Sequence, residues 1–206
     1  GLTVSIMKTI GLLGGMSWES TVLYYRLINE GVRKTLGGLH SARIAMVSID
    51  FEPIERMQHS GDWHAASDVL VDAAVRVQAA GADFLLICTN TMHKLAGDIE
   101  AALEIPLLHI ADATAETLLA DGIRTVGLLG TAFTMEEDFY KGRLGEKHGL
   151  TVVTPDPPGR AEVHRVIYGE LCQGEINADS KRRYLAVVDE LQEQGARAFD
   201  VALIAA

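Results

Sequence analysis

The sequence predicts an α/β protein built as two similar halves, each a parallel sheet covered by helices on both faces. Three observations carry that reading. Short apolar runs alternate with segments of helical spacing along the chain, the pattern of parallel strands joined by crossover helices. One phrase occurs twice: Lys8-Thr9-Ile10-Gly11-Leu12-Leu13-Gly14 and Arg124-Thr125-Val126-Gly127-Leu128-Leu129-Gly130 are both basic-Thr-aliphatic-Gly-Leu-Leu-Gly. The distance from Gly11 to Gly81 is 70 residues and that from Gly127 to Gly195 is 68, so the repeat is a duplicated domain rather than a solenoid. The halves are expected at 1–105 and 106–206, with the break in the region 104–123.

Each element follows from local pattern. Residues 8–13 form a buried strand ending at Gly14-Gly15. Ser17 or Ser20 can cap the next helix, which carries Val22, Leu23, Leu27 and Ile28 on one face and stops near Gly37-Gly38. Residues 42–49 are a second strand, and Pro53 to Gly61 is a turn-rich or short helical stretch. Val69, Leu70, Ala73, Ala74 and Val77 mark an amphipathic helix over residues 64–80, stopped by Gly81. Phe84-Leu85-Leu86-Ile87 is a third strand, followed by a helix to about Leu103. In the second half the strand over 124–129 leads into a helix with Glu136 near its start, as the first leads to Glu19. Pro155-Asp156-Pro157-Pro158-Gly159 is a rigid turn or linker, and Val163, Val166, Ile167 and Leu171 are helical. A last strand is expected at Val201-Ala202-Leu203-Ile204.

Composition limits the function classes. The 206 residues are 48% hydrophobic and 22% charged, which excludes a disordered chain. A net charge of −10 repels phosphate backbones, so no nucleic-acid partner is expected. The sequence holds no apolar run of about 18 residues and no signal-peptide pattern at its start, so no membrane association is expected. Two cysteines, Cys88 and Cys172, are too few for a disulfide framework and suit a reduced, cytoplasmic protein.

Ligands in open α/β sheets bind beyond the carboxyl ends of the strands. There the sequence places Cys88-Thr89-Asn90-Thr91-Met92-His93, a thiol, two hydroxyls and an amide at a strand-to-helix turn. Helix N-termini stabilise anions, so the segment suits a carboxylate ligand or a thiolate. It suits equally a capping Thr or Asn with Cys88 as a small buried filler. Gly14-Gly15-Met16-Ser17 lacks the spacing of a dinucleotide or phosphate loop, which leaves a tight turn or a small-ligand loop. Thr131 and Thr134 occupy the matching turn, with capping as the alternative. Asp50-Phe51-Glu52 reads as capping or solvated. His59 and His64 have no partners at metal-ligand spacing, so no metal is expected. Cys172 lies in a helical pattern and reads as packed or superficial.

These segments resemble the cofactor-independent aspartate/glutamate racemases, in particular the L-aspartate/glutamate-specific or broad-specificity amino-acid racemase branch. The matching stretches are residues 10–21, Tyr24-Tyr25-Arg26, residues 88–93, residues 109–114 and residues 127–131. The resemblance implies two pseudo-symmetric Rossmann-like or flavodoxin-like domains with the active site between them, and a homodimer. It implies chemistry without pyridoxal phosphate or any other cofactor. Two acid/base groups flank the substrate α-carbon; one removes the proton and the other returns one to the opposite face. It implies Thr89 at the first acid/base position. It implies Met16, Gln58, Asn90, Thr91, Met92 and Thr131 as substrate contacts.

Two departures stand beside the resemblance. The family's common motif has Cys where this chain has Thr89, and a hydroxyl is a far weaker base than a thiolate. Cys88 cannot substitute, because neighbours on a strand point to opposite faces. The family's second thiol lies in a Gly-Cys-Thr-Glu motif after the strand that follows Gly195-Ala196, where this sequence reads Val201 to Ala206. The sequence is thus expected to lack the final segment of the family fold and to be impaired in racemisation. Two further readings are an inactive, racemase-like amino-acid-binding protein and a small-diacid isomerase or decarboxylase of the same superfamily.

Overall fold

The computed structural model describes residues 7–201, Val201 by its backbone alone. The chain divides into two compact units. Described residues 7–88 and 95–108 form the first, and 89–94 with 109–201 form the second.

In the first unit, β1 (Thr9–Gly14) lies between β2 (Arg43–Ser48) and β3 (Phe84–Ile87), parallel to both. It is central because its residues are apolar or small on both faces, and Leu12 and Leu13 are fully buried. Gly11 is needed for close approach: a Cβ there would lie 2.7 Å from the Phe84 carbonyl oxygen and 2.7 Å from a methyl of Val77. The carboxylate of Asp83 accepts the Thr9 N–H at 2.6 Å and ties the starts of β1 and β3 together. The helix α2 (Phe51–Ser60) is capped by Asp50, which accepts the Glu52 N–H, and α3 (Trp63–Ala79) by Asp62. Leu70, Ala73, Ala74 and Val77 of α3 are buried, as the amphipathic spacing predicts, whereas Val69, expected on the same face, is exposed. A short helix, α4 (Ala96–Ala102), follows, and Leu107 then pairs in parallel with Leu85.

The helix α1 (Trp18–Leu36) departs from its sequence reading. Val22, Leu27 and Tyr25 are more than half exposed, and Leu23 and Ile28 half-buried, while Glu19, Ser20 and Thr21 are the buried residues. The apolar stripe does not face the core. The first turn is pulled inward instead, because Thr21 Oγ1 accepts the Gly15 N–H at 2.8 Å beside the end of β1.

The second unit repeats the sheet. β4 (Thr125–Leu129) lies between β5 (Thr151–Val153) and β6 (Ala198–Val201), again parallel to both, so the two sheets have the same strand order. The helix α5 (Ile110–Ala120) precedes β4, and α6 (Ala132–Glu136), α7 (Asp138–Gly142) and a π turn over Arg143–Lys147 follow it. Val126, Leu128, Ala111, Ala115, Tyr140 and Leu144 form one cluster of the core. The fully buried Tyr140 donates its hydroxyl to Asp200 at 2.5 Å.

Other sequence expectations are corrected here. The Pro155–Gly159 stretch is not merely a linker: Asp156 caps α8 (Pro157–Gly169), accepting the Gly159 N–H at 2.9 Å, and Pro157 takes the first helical position, where no N–H is needed. Gly195 still precedes a strand, but β6 begins at Ala198, and Ala202, Leu203 and Ile204 of the expected strand lie outside the described residues. Asn177 caps α9 (Ala178–Glu193), whose Val187 and Leu191 pack with Leu129, Val163 and Ile167. The chain passes between units after Cys88, after Lys94 and after Leu108. Segment 89–94 belongs with the second unit, since Thr91 and Lys94 bond to Thr131 and Glu137 there.

Candidate active site

The segment that follows β3 holds Thr89, Asn90, Thr91 and Met92, four of the residues expected at the site. At its start the Cys88 N–H bonds to the Leu13 carbonyl at 2.9 Å, which extends the β1–β3 pairing by one residue. The Cys88 side chain is fully buried, and burial pushes its thiol pKa up to about 12. At neutral pH it is a neutral filler and no nucleophile. Thr89 and Asn90 are half-buried, and Thr91, Met92 and His93 are buried. Residues 91–95 form a 3-10 turn, so the segment curls rather than continuing the strand.

Thr91 reaches across the second unit. Its hydroxyl lies 2.7 Å from that of Thr131 and 3.3 Å from that of Thr134, and the last two are 3.4 Å apart. All three residues are buried. Thr131 also caps α6, accepting the Thr134 N–H at 3.4 Å, so the capping reading and the polar-cluster reading both apply to it. The 2.7 Å contact uses one hydroxyl proton; the longer contacts are weak, which leaves donor capacity for an anionic group. Lys94 Nζ donates to both carboxylate oxygens of Glu137 at 2.8 and 2.7 Å, so its charge is compensated within the unit.

Behind the segment stand two imidazoles. His93 Nδ1 lies 3.2 Å from the Asn90 carbonyl, and its Nε2 accepts the Ile110 N–H at 3.4 Å. His109 caps α5, its Nδ1 accepting the Ala111 N–H at 3.1 Å. The rings lie 4.5 Å apart. Burial lowers His93 to about 4 and, with the neighbouring His93, lowers His109 to about 3. Both are neutral at pH 7. His109 is thus a buried helix cap packed against His93, and the sequence showed it only within a resembling stretch. Asp112, in the first turn of α5, bonds Arg143, Lys147 and His148, and the guanidinium above all holds its carboxyl far below the usual range.

The remaining expected contacts lie in the first unit. Met16 is buried in the turn between β1 and α1, and Gln58 is buried in α2. In the same turn Ser17 Oγ and Glu19 Oε2 are buried and, among the described residues, have no hydrogen-bond partner. The sequence offered Ser17 only as a cap and Glu19 only as the counterpart of Glu136, because burial alone distinguishes them from solvated helix-start residues. Among the described residues no group of three or more His, Cys, Asp or Glu is placed to hold a metal ion.

Comparison with known proteins gives this geometry a context. The chain is 26% identical over 148 residues to the broad-specificity amino-acid racemase RacX of Bacillus subtilis (strain 168), a match that covers 71% of this chain and 64% of that relative. A solved Yersinia pestis protein assigned to the Asp/Glu racemases is 53% identical, with a TM-score of 0.86 over 95% of this chain and 85% of the other. An aspartate racemase homologue from Pyrococcus horikoshii OT3 is 31% identical, with a TM-score of 0.79 over 96% of this chain and 86% of the other. The family profile of Asp/Glu/hydantoin racemases matches residues 13–199, which cover most of both units and the whole Thr89–His93 segment; the chain belongs to that family.

Proposed function

We propose that this protein is a cofactor-independent amino-acid racemase of the aspartate/glutamate type, with Thr89 as the acid/base on one face of the substrate α-carbon. The observation that carries the reading is the position of Thr89: half-buried at the carboxyl end of a parallel strand, followed by a buried cluster of three hydroxyls, in a chain of the racemase family. Thr91 and Thr131, with Asn90, suit the substrate carboxylate and the enolate-like charge that develops when the α-proton leaves. Met16, Gln58 and Met92 are further substrate contacts in this reading. A hydroxyl needs help to act as a base, so turnover on this side is slow. The two-sided reaction also needs an acid/base on the opposite face, which the resemblance places after β6, outside the described residues. The protein acts as a homodimer in a reducing cytoplasm. Trp18, Val22 and Tyr25, exposed on one face of α1, are the surface that a second copy would cover.

The test is incubation of the protein with aspartate or glutamate in deuterated water, reading α-deuterium and chirality, beside calorimetric binding. The expected result is slow α-exchange that Thr89→Val abolishes and Thr89→Cys accelerates. Binding without exchange in all three proteins favours the amino-acid-binding reading. Neither binding nor exchange overturns both.

A further inference from the structure

The two imidazoles behind residues 89–91 are held in definite tautomers by the backbone. His93 Nε2 faces the Ile110 N–H and must accept, so its proton sits on Nδ1, 3.2 Å from the Asn90 carbonyl. The Thr89 carbonyl also interacts favourably with the same ring. His109 Nδ1 faces the Ala111 N–H and must accept, so its proton sits on Nε2. Each lone pair on His93 and on His109 Nδ1 is thereby committed to the first turn of α5. His93 has no lone pair left with which to take a proton from Thr89.

We infer that His93 is a positioning residue for the acid/base segment: as a neutral Nδ1–H imidazole it ties the Asn90 carbonyl to the N-terminus of α5, and so fixes the backbone next to Thr89 and the direction of the Thr89 hydroxyl. The inference rests on the racemase reading for its catalytic consequence, but its geometry stands without it. Among the described residues segment 89–90 has no sheet partner after the Cys88 bond, and the Asn90 carbonyl is held by two donors of His93, its backbone N–H at 3.1 Å and its ring Nδ1 at 3.2 Å. His93 is 2% exposed and packed against the His109 ring, which holds the donor in place. A positioned hydroxyl matters here because a weak base cannot compensate for poor geometry; misplacement by about 1 Å costs roughly 10²-fold in rate.

The experiment compares the wild-type chain with His93→Leu and His93→Asn, the second of which keeps an N–H donor near the position of Nδ1. Long-range ¹H–¹⁵N spectra of the wild type are expected to show the Nδ1–H tautomer for His93; the Nε2–H tautomer overturns the proposal. Amide hydrogen exchange at Asn90 and Thr91 is expected to accelerate in His93→Leu and to return towards wild type in His93→Asn. In the α-deuterium assay, His93→Leu is expected to lower kcat about 10-fold or more with KM changed less than about twofold, again with recovery in Asn. Equal behaviour of Leu and Asn at the same folded fraction makes His93 a packing residue and ends the proposal. If the wild type shows no α-exchange, the racemase reading fails, and the tautomer and amide exchange still decide whether His93 holds the segment. If His93→Leu does not fold, the wild-type tautomer and the Asn variant decide it.

Discussion

After β1 the chain turns through Gly14 and Gly15 into a 19-residue helix; after β4 it turns through Gly130 into two helices of five residues each. The strands themselves are alike. Both are central, both have Gly at the fourth position of the repeated phrase, and both bury Leu-Leu. The turns are not alike. Thr131 caps its helix and shares hydrogen bonds with Thr91 and Thr134, whereas Ser17 makes no cap and lies buried with Glu19, each with a polar atom unmatched among the described residues. The repeated part is what a doubly covered strand needs to pack. The unlike part is where side chains are left to meet a ligand or one another.

Three measurements sharpen that comparison. The largest effect concerns the shared glycine. A Cβ at Gly11 would meet a backbone carbonyl at 2.7 Å, while one at Gly127 would meet the Phe199 ring, at 2.6 Å, and a Leu191 methyl. A ring can rotate away and a strand carbonyl cannot. Gly11→Ala should therefore cost about 3 kcal/mol and Gly127→Ala about 1–2 kcal/mol in urea unfolding. Equal costs would mean that the two sheets tolerate crowding alike and that the repeat is symmetric in packing as well as in sequence.

Next in size is acid sensitivity, which belongs to the second unit. His93 and His109 have folded-state pKa values of about 4 and 3, below their ordinary 6.5, so the unfolded chain binds more protons between those values. Their contribution is fully favourable above about pH 6.5 and is lost as pH falls towards 4. The groups around them are Arg143 and Lys147, which oppose protonation, and Asp112, which favours it. Urea unfolding at pH 7.5 and pH 5 should show a loss of about 2 kcal/mol for each ring, the His93 share being absent in His93→Asn. Below about pH 4 protonation of Asp112, whose pKa is also lowered, removes stability in the same direction. An unchanged midpoint between pH 7.5 and 5 would show that the imidazoles are solvated.

The smallest effect separates the two helix starts. Thr131→Ala removes a cap and should cost about 1 kcal/mol, whereas Ser17→Ala removes a buried hydroxyl with no cap bond and should be neutral or slightly stabilising. Thermal melts of both variants test this. A loss at Ser17 as large as that at Thr131 would give Ser17 a partner that the structure does not show.

The sequence by itself determined the α/β class, the duplicated strand phrase and the segment Thr89–His93, because these rest on local periodicity and on residue types with few roles. Asp50 as a cap was legible for the same reason. Other features required distant atoms. The apolar residues of α1 have helical spacing, yet the structure buries Glu19, Ser20 and Thr21 instead, since the bond from the Gly15 N–H to Thr21 fixes the roll of the first turn. Pro157 reads as a break until Asp156 is seen to cap the helix that it opens. Thr91 and Thr131 are 40 residues apart, and no spacing rule joins their hydroxyls. The tautomers of His93 and His109 depend on which backbone N–H each ring nitrogen meets at the start of α5. Strand and helix follow from neighbours along the chain; which polar atoms meet, and in what protonation state, follows only from the packing that brings remote segments together.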